Sequence, residues 1–195
     1  MPPLPPITQA LLLINTGLFC LQYLSGPWIE QLFALWPLSG GFLPWQVVTY
    51  AFLHGSIGHL FFNMLGLWMF GAELERVWGP KRFLQFYAAS VLAAAAAQLI
   101  VTFNSSPYPT VGASGGLFGL LLAFGMMFPN RMILLLIPPI PMKAKVFVAI
   151  YGAIELFLGV TGTQQGVAHF AHLGGMLGGF LMIQYWRGRP PFGRR

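Results

Sequence analysis

The chain has 195 residues, of which 56% are hydrophobic and only 7% charged, where soluble domains carry about 25% charged residues. Ten basic and four acidic side chains cannot coat a water-soluble globule of this size. With a mean hydropathy of +0.70, lipid is the expected solvent for most of the surface, and disorder and collagen are excluded. The single cysteine, Cys20, lies in an apolar run, so no intramolecular disulfide can form. There is no Asp; the four acids are Glu30, Glu73, Glu75 and Glu155, so any chemistry that needs Asp is excluded.

Apolar runs of about 20 residues, the length that crosses a hydrocarbon core, predict six membrane helices at about 8–26, 57–75, 82–102, 112–128, 144–161 and 167–186. The first has neither a basic n-region nor a clear small-residue cleavage site, so it is expected to remain as a helix and not to be removed as a signal peptide. The connection after it carries Trp28, Trp36 and Trp45 among Pro27, Pro37, Pro44 and several glycines, with Glu30 as its one charge. Such a segment belongs in the membrane interface, where Trp is favoured.

The basic residues then set orientation. Arg76, Lys81 and Arg82 follow helix two, Arg131, Lys143 and Lys145 follow helix four, and Arg187, Arg189, Arg194 and Arg195 follow helix six. All fall on one side, which the positive-inside rule makes cytoplasmic. The expected architecture is an all-α, six-helix transmembrane bundle in the cell membrane with both termini cytoplasmic. Residues 1–195 form one domain, ending in a basic tail at about 187–195. The tail reads as a topology anchor, so no nucleic acid is expected as a partner. No internal repeat, nucleotide loop or metal-spaced His/Cys cluster is present, so no cofactor or metal is expected.

Helices two, four and six carry the unusual polar residues. Helix two has His59 and Asn63, four apart and therefore on one face. Helix four opens with Gly112-Ala113-Ser114-Gly115-Gly116, and helix six with His169 and His172. Counted back from the first cytoplasmic Arg of each helix at 1.5 Å per residue, Ser114 and His59 stand at roughly 26 Å, His172 at roughly 22 Å and Asn63 at roughly 20 Å. A serine or glycine in a membrane helix ordinarily serves packing. Ionisable groups at depth are costly and point to function, and packing gives no reason for these groups to share one layer toward the outer face.

A serine hydroxyl becomes a nucleophile when a neighbouring base takes its proton, and histidine is the usual base. His172 lies on one face with Ala168, Gly175 and Gly179, small residues able to approach Gly115 and Gly119 of helix four, whereas His169 is rotated partly away. A triad would add a carboxylate. Glu73 and Glu75 lie at the cytoplasmic end, Glu30 in the interfacial connection, and the facing of Glu155 on helix five is open, so a Ser114–His172 dyad is expected. Oxyanion donors would come from Asn63, His59 and the free N–H groups opening helix four.

With Trp45 and His54 before helix two, His59-Leu60-Phe61-Phe62-Asn63, Gly71 with Glu75 and Gly79, Gly112-Ala113-Ser114-Gly115, and Ala171-His172 followed by Gly175 and Gly179, the chain resembles the rhomboid intramembrane serine proteases over nearly its whole length. The resemblance implies Ser114 as nucleophile, His172 as base, and His59 and Asn63 as oxyanion-hole side chains. It implies transmembrane proteins as substrates, structural roles for Gly71, Glu75 and Gly79, and packing of Phe118 against the base. Phe118 stands where the family often has Tyr, and Gln46 where it often has Arg. The segment around Ser114 also fits the G-x-S-x-G pattern of soluble hydrolases, but that motif needs a preceding strand. Two alternatives are an inactive rhomboid-like protein that binds membrane clients and a small transporter. The first would be expected to lack Ser114 or His172, and the second has no use for the Gly-x-Ser-Gly turn.

Overall fold

A computed structural model describes residues 3–103, 108–134, 139–162, 167–189 and 191. All six apolar runs are helical. Helix α1 (Pro6–Ser25) opens on a proline, whose missing N–H would have gone unpaired in the first turn, and stops at Gly26, φ 81°. The connection that follows folds into two short helices, α2 (Trp28–Phe33) and α3 (Gln46–Thr49), and a 3₁₀ turn at Tyr50–Phe52.

The second run is one helical rod. It comprises α4 (Ile57–Gly66), a single wide π turn at Leu67–Gly71, and α5 (Ala72–Trp78). The Ser56 side chain caps it by accepting from the His59 N–H at 3.1 Å, and Gly79, φ 77°, ends it. Pro80 starts α6 (Pro80–Val101) directly afterwards.

Helix α7 (Ser114–Met127) has 14 residues, so Ser114 stands about 20 Å from its far end. The roughly 26 Å height counted to Arg131 is therefore too large, because the chain leaves the helix after Met127 and turns through Pro129. A hairpin follows that the all-α expectation did not contain. In it β1 (Met132–Leu134) pairs antiparallel with β2 (Pro141–Lys143), with Met132 opposite Lys143 and Leu134 opposite Pro141. Helices α8 (Ala144–Thr161) and α9 (His169–Trp186) complete the described chain.

By length and composition α1, α6 and α8 can each cross a membrane, and α7 is a shorter apolar helix. Many large apolar side chains point outward, Leu24 at 81%, Ile100 at 76% and Val160 at 71% exposure among them, which suits lipid and not water. The core lies where the rod, α6, α7 and α9 meet, around Leu67, Leu74, Phe83, Phe86 and Leu120, all fully buried.

Glycines set how closely α9 approaches its neighbours. Gly174 and Gly178 lie on Ala93, Ala97 and the backbone of α6, while Gly175 and Gly179 lie on the backbone of Gly115 and Gly119 of α7. Such small-on-small contacts let helix backbones touch.

At the opposite end from Ser114 the basic residues cluster. Arg131 pairs with Glu73 at 3.0 Å, Arg82 stacks on Trp186 at 5.8 Å, and Arg76 donates to the Pro3 carbonyl at 3.3 Å. Arg194 and Arg195 lie outside the described residues. Glu75, placed at this end in sequence, is fully inside: its carboxylate accepts from the Ile7 and Thr8 N–H groups and the Thr8 hydroxyl at 2.9, 2.7 and 2.7 Å. It therefore caps the first turn of α1, where helical N–H groups lack partners.

Candidate active site

The segment entering α7 is fastened on both sides. Leu35 and Thr110 exchange two backbone hydrogen bonds of 2.9 Å, and the Gly112 N–H donates to the Tyr50 carbonyl at 2.9 Å. Gly112 has φ +130°, a conformation L side chains rarely adopt, and a Cβ there would strike the His59 ring. Glycine at 112 thus lets His59 of α4 lie beside Ser114.

Ser114 is the first residue of α7, so its hydroxyl sits at a helix N-terminus rich in unpaired N–H groups. His172 of α9 meets it. The Ser114 hydroxyl is hydrogen-bonded with His172 Nε2 at 2.8 Å, joining residues 58 apart in sequence. One turn below Ser114, Phe118 stacks on the His172 ring with centroids 4.2 Å apart and planes 7° from parallel. The Gly175–Gly115 contact, one turn along α9 from His172, holds the two helices at this separation.

Asn63 follows His59 by one turn on α4. It is 4% exposed, and its Nδ2 has no hydrogen-bond partner among the described residues. A buried amide N–H without an acceptor costs about 1–3 kcal/mol, which a ligand oxygen reaching it would offset. His54 packs edge-on against His59 at 5.1 Å. Burial, and after it the neighbouring His59, push His54 down to about 4, against the pull of the Phe52 backbone.

The facing of Glu155, open in the sequence, is toward the base. Glu155 is the buried member of an otherwise exposed stretch of α8, with Ile154, Leu156 and Phe157 facing outward. Its Oε2 is 2.8 Å from His172 Nδ1 and 2.7 Å from His169 Nδ1. His169 is therefore inside the same cluster, touching Glu155 and not Ser114. These three groups offer ligand atoms within 4.8 Å of one another, a donor set that suits a divalent cation. Both contacts already have hydrogen-bond length, so protons alone account for the cluster.

Sequence reasoning singled out Gln46 as a departure from the family pattern but gave it no role. Its side chain is wholly buried: Oε1 accepts from the Trp36 and Leu43 N–H groups at 3.2 and 3.1 Å, and Nε2 donates to the Leu32 carbonyl at 3.3 Å. Trp45 donates to the same carbonyl at 2.9 Å. Gln46 thus organises the connection where the family often has Arg. The only sequence signal was an amide in a segment too apolar to leave it solvated.

Residues 42–189 match the family model of the rhomboid domain. The chain belongs to the rhomboid family. It is 36% identical to rhomboid protease GluP of Bacillus subtilis over 70% of its own length and 25% of that protein. It is 32% identical to the mitochondrial rhomboid protein 1 of Saccharomyces cerevisiae over 92% of its length and 53% of the relative. Rhomboid protease GlpG of Yersinia pestis matches at 28% identity over 93% of the chain and 62% of that protein. The chain thus spans between 25% and 62% of the length of these relatives. This rhomboid is an integral membrane protein, as its family and its apolar helices require.

Proposed function

We propose that this rhomboid is a serine endopeptidase that hydrolyses peptide bonds of transmembrane proteins. The hydrogen bond from Ser114 to His172 Nε2 carries the reading, since it joins two distant helices in the geometry of a nucleophile and its base. In acylation His172 Nε2 takes the Ser114 proton as Oγ bonds to the substrate carbonyl carbon. His59, Asn63 and the N–H groups at the start of α7 receive the resulting oxyanion. His172 then gives its proton to the leaving amine nitrogen, the C–N bond breaks, and an acyl ester remains on Ser114. Water attacks that ester while His172 takes its proton, and the proton returns to Ser114 as the acid departs.

The six helices span the cell membrane with both termini cytoplasmic, and Ser114 faces the outer leaflet. The basic residues gathered at the end remote from Ser114 support this orientation. Water reaches Ser114 at that depth because polar groups in a membrane protein line wet cavities. A substrate helix must unwind locally before its carbonyls can be attacked, so Gly or Pro near its outer end favours cutting. Neither a client-binding protein without activity nor a transporter gives a reason for the Ser114–His172 bond. The test is incubation of the purified protein, in liposomes, with a panel of single-span proteins, and mass spectrometry of the fragments. Cuts in the outer third of the span, abolished in Ser114→Ala, support the proposal; no cut, or cuts in the cytoplasmic half, overturn it.

A further inference from the structure

A neutral imidazole carries one proton on either of two nitrogens, and only the tautomer with a bare Nε2 can take the proton of Ser114. Which form His172 holds depends on what its Nδ1 meets. Here Nδ1 meets a carboxylate: Glu155 Oε2 at 2.8 Å, buried with the ring. We infer that Glu155 is a positioning residue for the base, completing a Ser114–His172–Glu155 triad, with His169 fixing the carboxylate that fixes the base. The inference rests on the proposed protease reading and deepens it.

The geometry gives each group one task. Oε2 accepts the His172 Nδ1–H, so Nε2 points its lone pair at Ser114 Oγ, 2.8 Å away. His169, at 88° to the His172 ring, donates its own Nδ1–H to the same oxygen at 2.7 Å. Two donors on one oxygen leave the carboxylate little freedom to turn, and Phe118 stacked on His172 leaves the ring little freedom to tilt. When His172 accepts the Ser114 proton it becomes an imidazolium, and the adjacent carboxylate holds that charge without taking a proton. Between Lys145 and its end, the helix that supplies Glu155 carries no other Asp, Glu, His, Lys or Arg. An ionisable residue at that depth is costly, and tying α8 to α9 by a polar contact is the competing explanation for it.

The two explanations differ in what Glu155→Gln does. The amide keeps size and hydrogen bonding but can donate to Nδ1, which selects the wrong tautomer. On a single-span substrate in liposomes, kcat of Glu155→Gln is expected to fall by at least about 10²-fold, toward the roughly 10⁴-fold lost when a triad carboxylate becomes an amide. KM should stay within about threefold and Glu155→Asp should recover part of kcat, because the loss lies in chemistry and not in binding. A Glu155→Gln enzyme within about threefold of wild type in kcat overturns the inference while the protease reading stands. Wild type that neither cleaves nor reacts with a serine-directed probe overturns both. Should Glu155→Gln fail to fold, the wild-type protein decides: nitrogen NMR of ¹⁵N-histidine-labelled protein should show His172 protonated at Nδ1 and bare at Nε2. The opposite tautomer overturns the inference.

Discussion

Replacing Gly175 with Ala is expected to abolish the proposed peptidase activity without touching any reacting atom. Gly175 sits on the backbone of Gly115, and a Cβ there would overlap the Gly115 carbonyl oxygen. Backbone cannot swing aside as a side-chain tip can, so α7 and α9 must part by on the order of 1 Å in a close-packed interior. Gly115 adjoins Ser114, and Gly175 is one turn from His172, so most of that displacement reaches the Ser114–His172 hydrogen bond. Stretching it from 2.8 Å to nearly 4 Å takes it outside the range in which hydrogen bonds form. A misplacement of about 1 Å costs roughly 10²-fold in rate, and overpacking costs about 1–3 kcal/mol of stability. The assay is kcat on a reconstituted substrate beside a thermal melt. Gly152→Ala is the control, since its Cβ would meet only the flexible end of Met176 at 3.3 Å, and it should retain activity. A Gly175→Ala protein with wild-type kcat would refute the idea that helix spacing positions the base.

Asn63→Ala should lower kcat by roughly 10²–10³-fold, the usual loss of one oxyanion donor, with little change in KM; an unchanged kcat removes Asn63 from the site. Glu75→Ala strips the cap from α1 and leaves three donors unmatched, so the melting temperature should drop by the equivalent of about 2 kcal/mol or more, read by a thermal scan at neutral pH. His54 is neutral in the fold down to about 4, while an unfolded histidine protonates near 6.5. The unfolded state therefore binds more protons between those values, and stability should fall as pH drops from about 6.5 toward 4 and level off below. Replacing His54 with Gln should flatten that part of the curve of melting temperature against pH.

Much of this was legible in the sequence because membrane helices announce themselves by composition. The runs at 57–75, 144–161 and 167–186 lie within a few residues of the observed helices, and His59, Asn63, Ser114 and His172 stood out as polar groups at matching depth. Helix α8 concealed more. It is apolar on every face and mostly exposed, so no hydrophobic stripe shows which way Glu155 turns. The usable clue was the cost of an unpaired carboxylate at that depth, which calls for a donor, and the donors nearest that level are His169 and His172. The π turn at Leu67–Gly71 has no Pro or polar insertion to mark it; Gly71, held against Leu67 and Phe83, is its only trace. The run at 112–128 ends within one residue of α7, and only the height of Ser114 came out too large, because it is counted from Arg131, four residues beyond Met127.

The central claim, that Ser114 is a nucleophile activated by His172, is tested most directly by a fluorophosphonate probe followed by peptide mapping. The wild-type protein should carry the label on Ser114, and His172→Ala, which removes the acceptor 2.8 Å from the hydroxyl, should label at least about 10³-fold more slowly. Label on another residue, or labelling of Ser114 at an unchanged rate in His172→Ala, would contradict it.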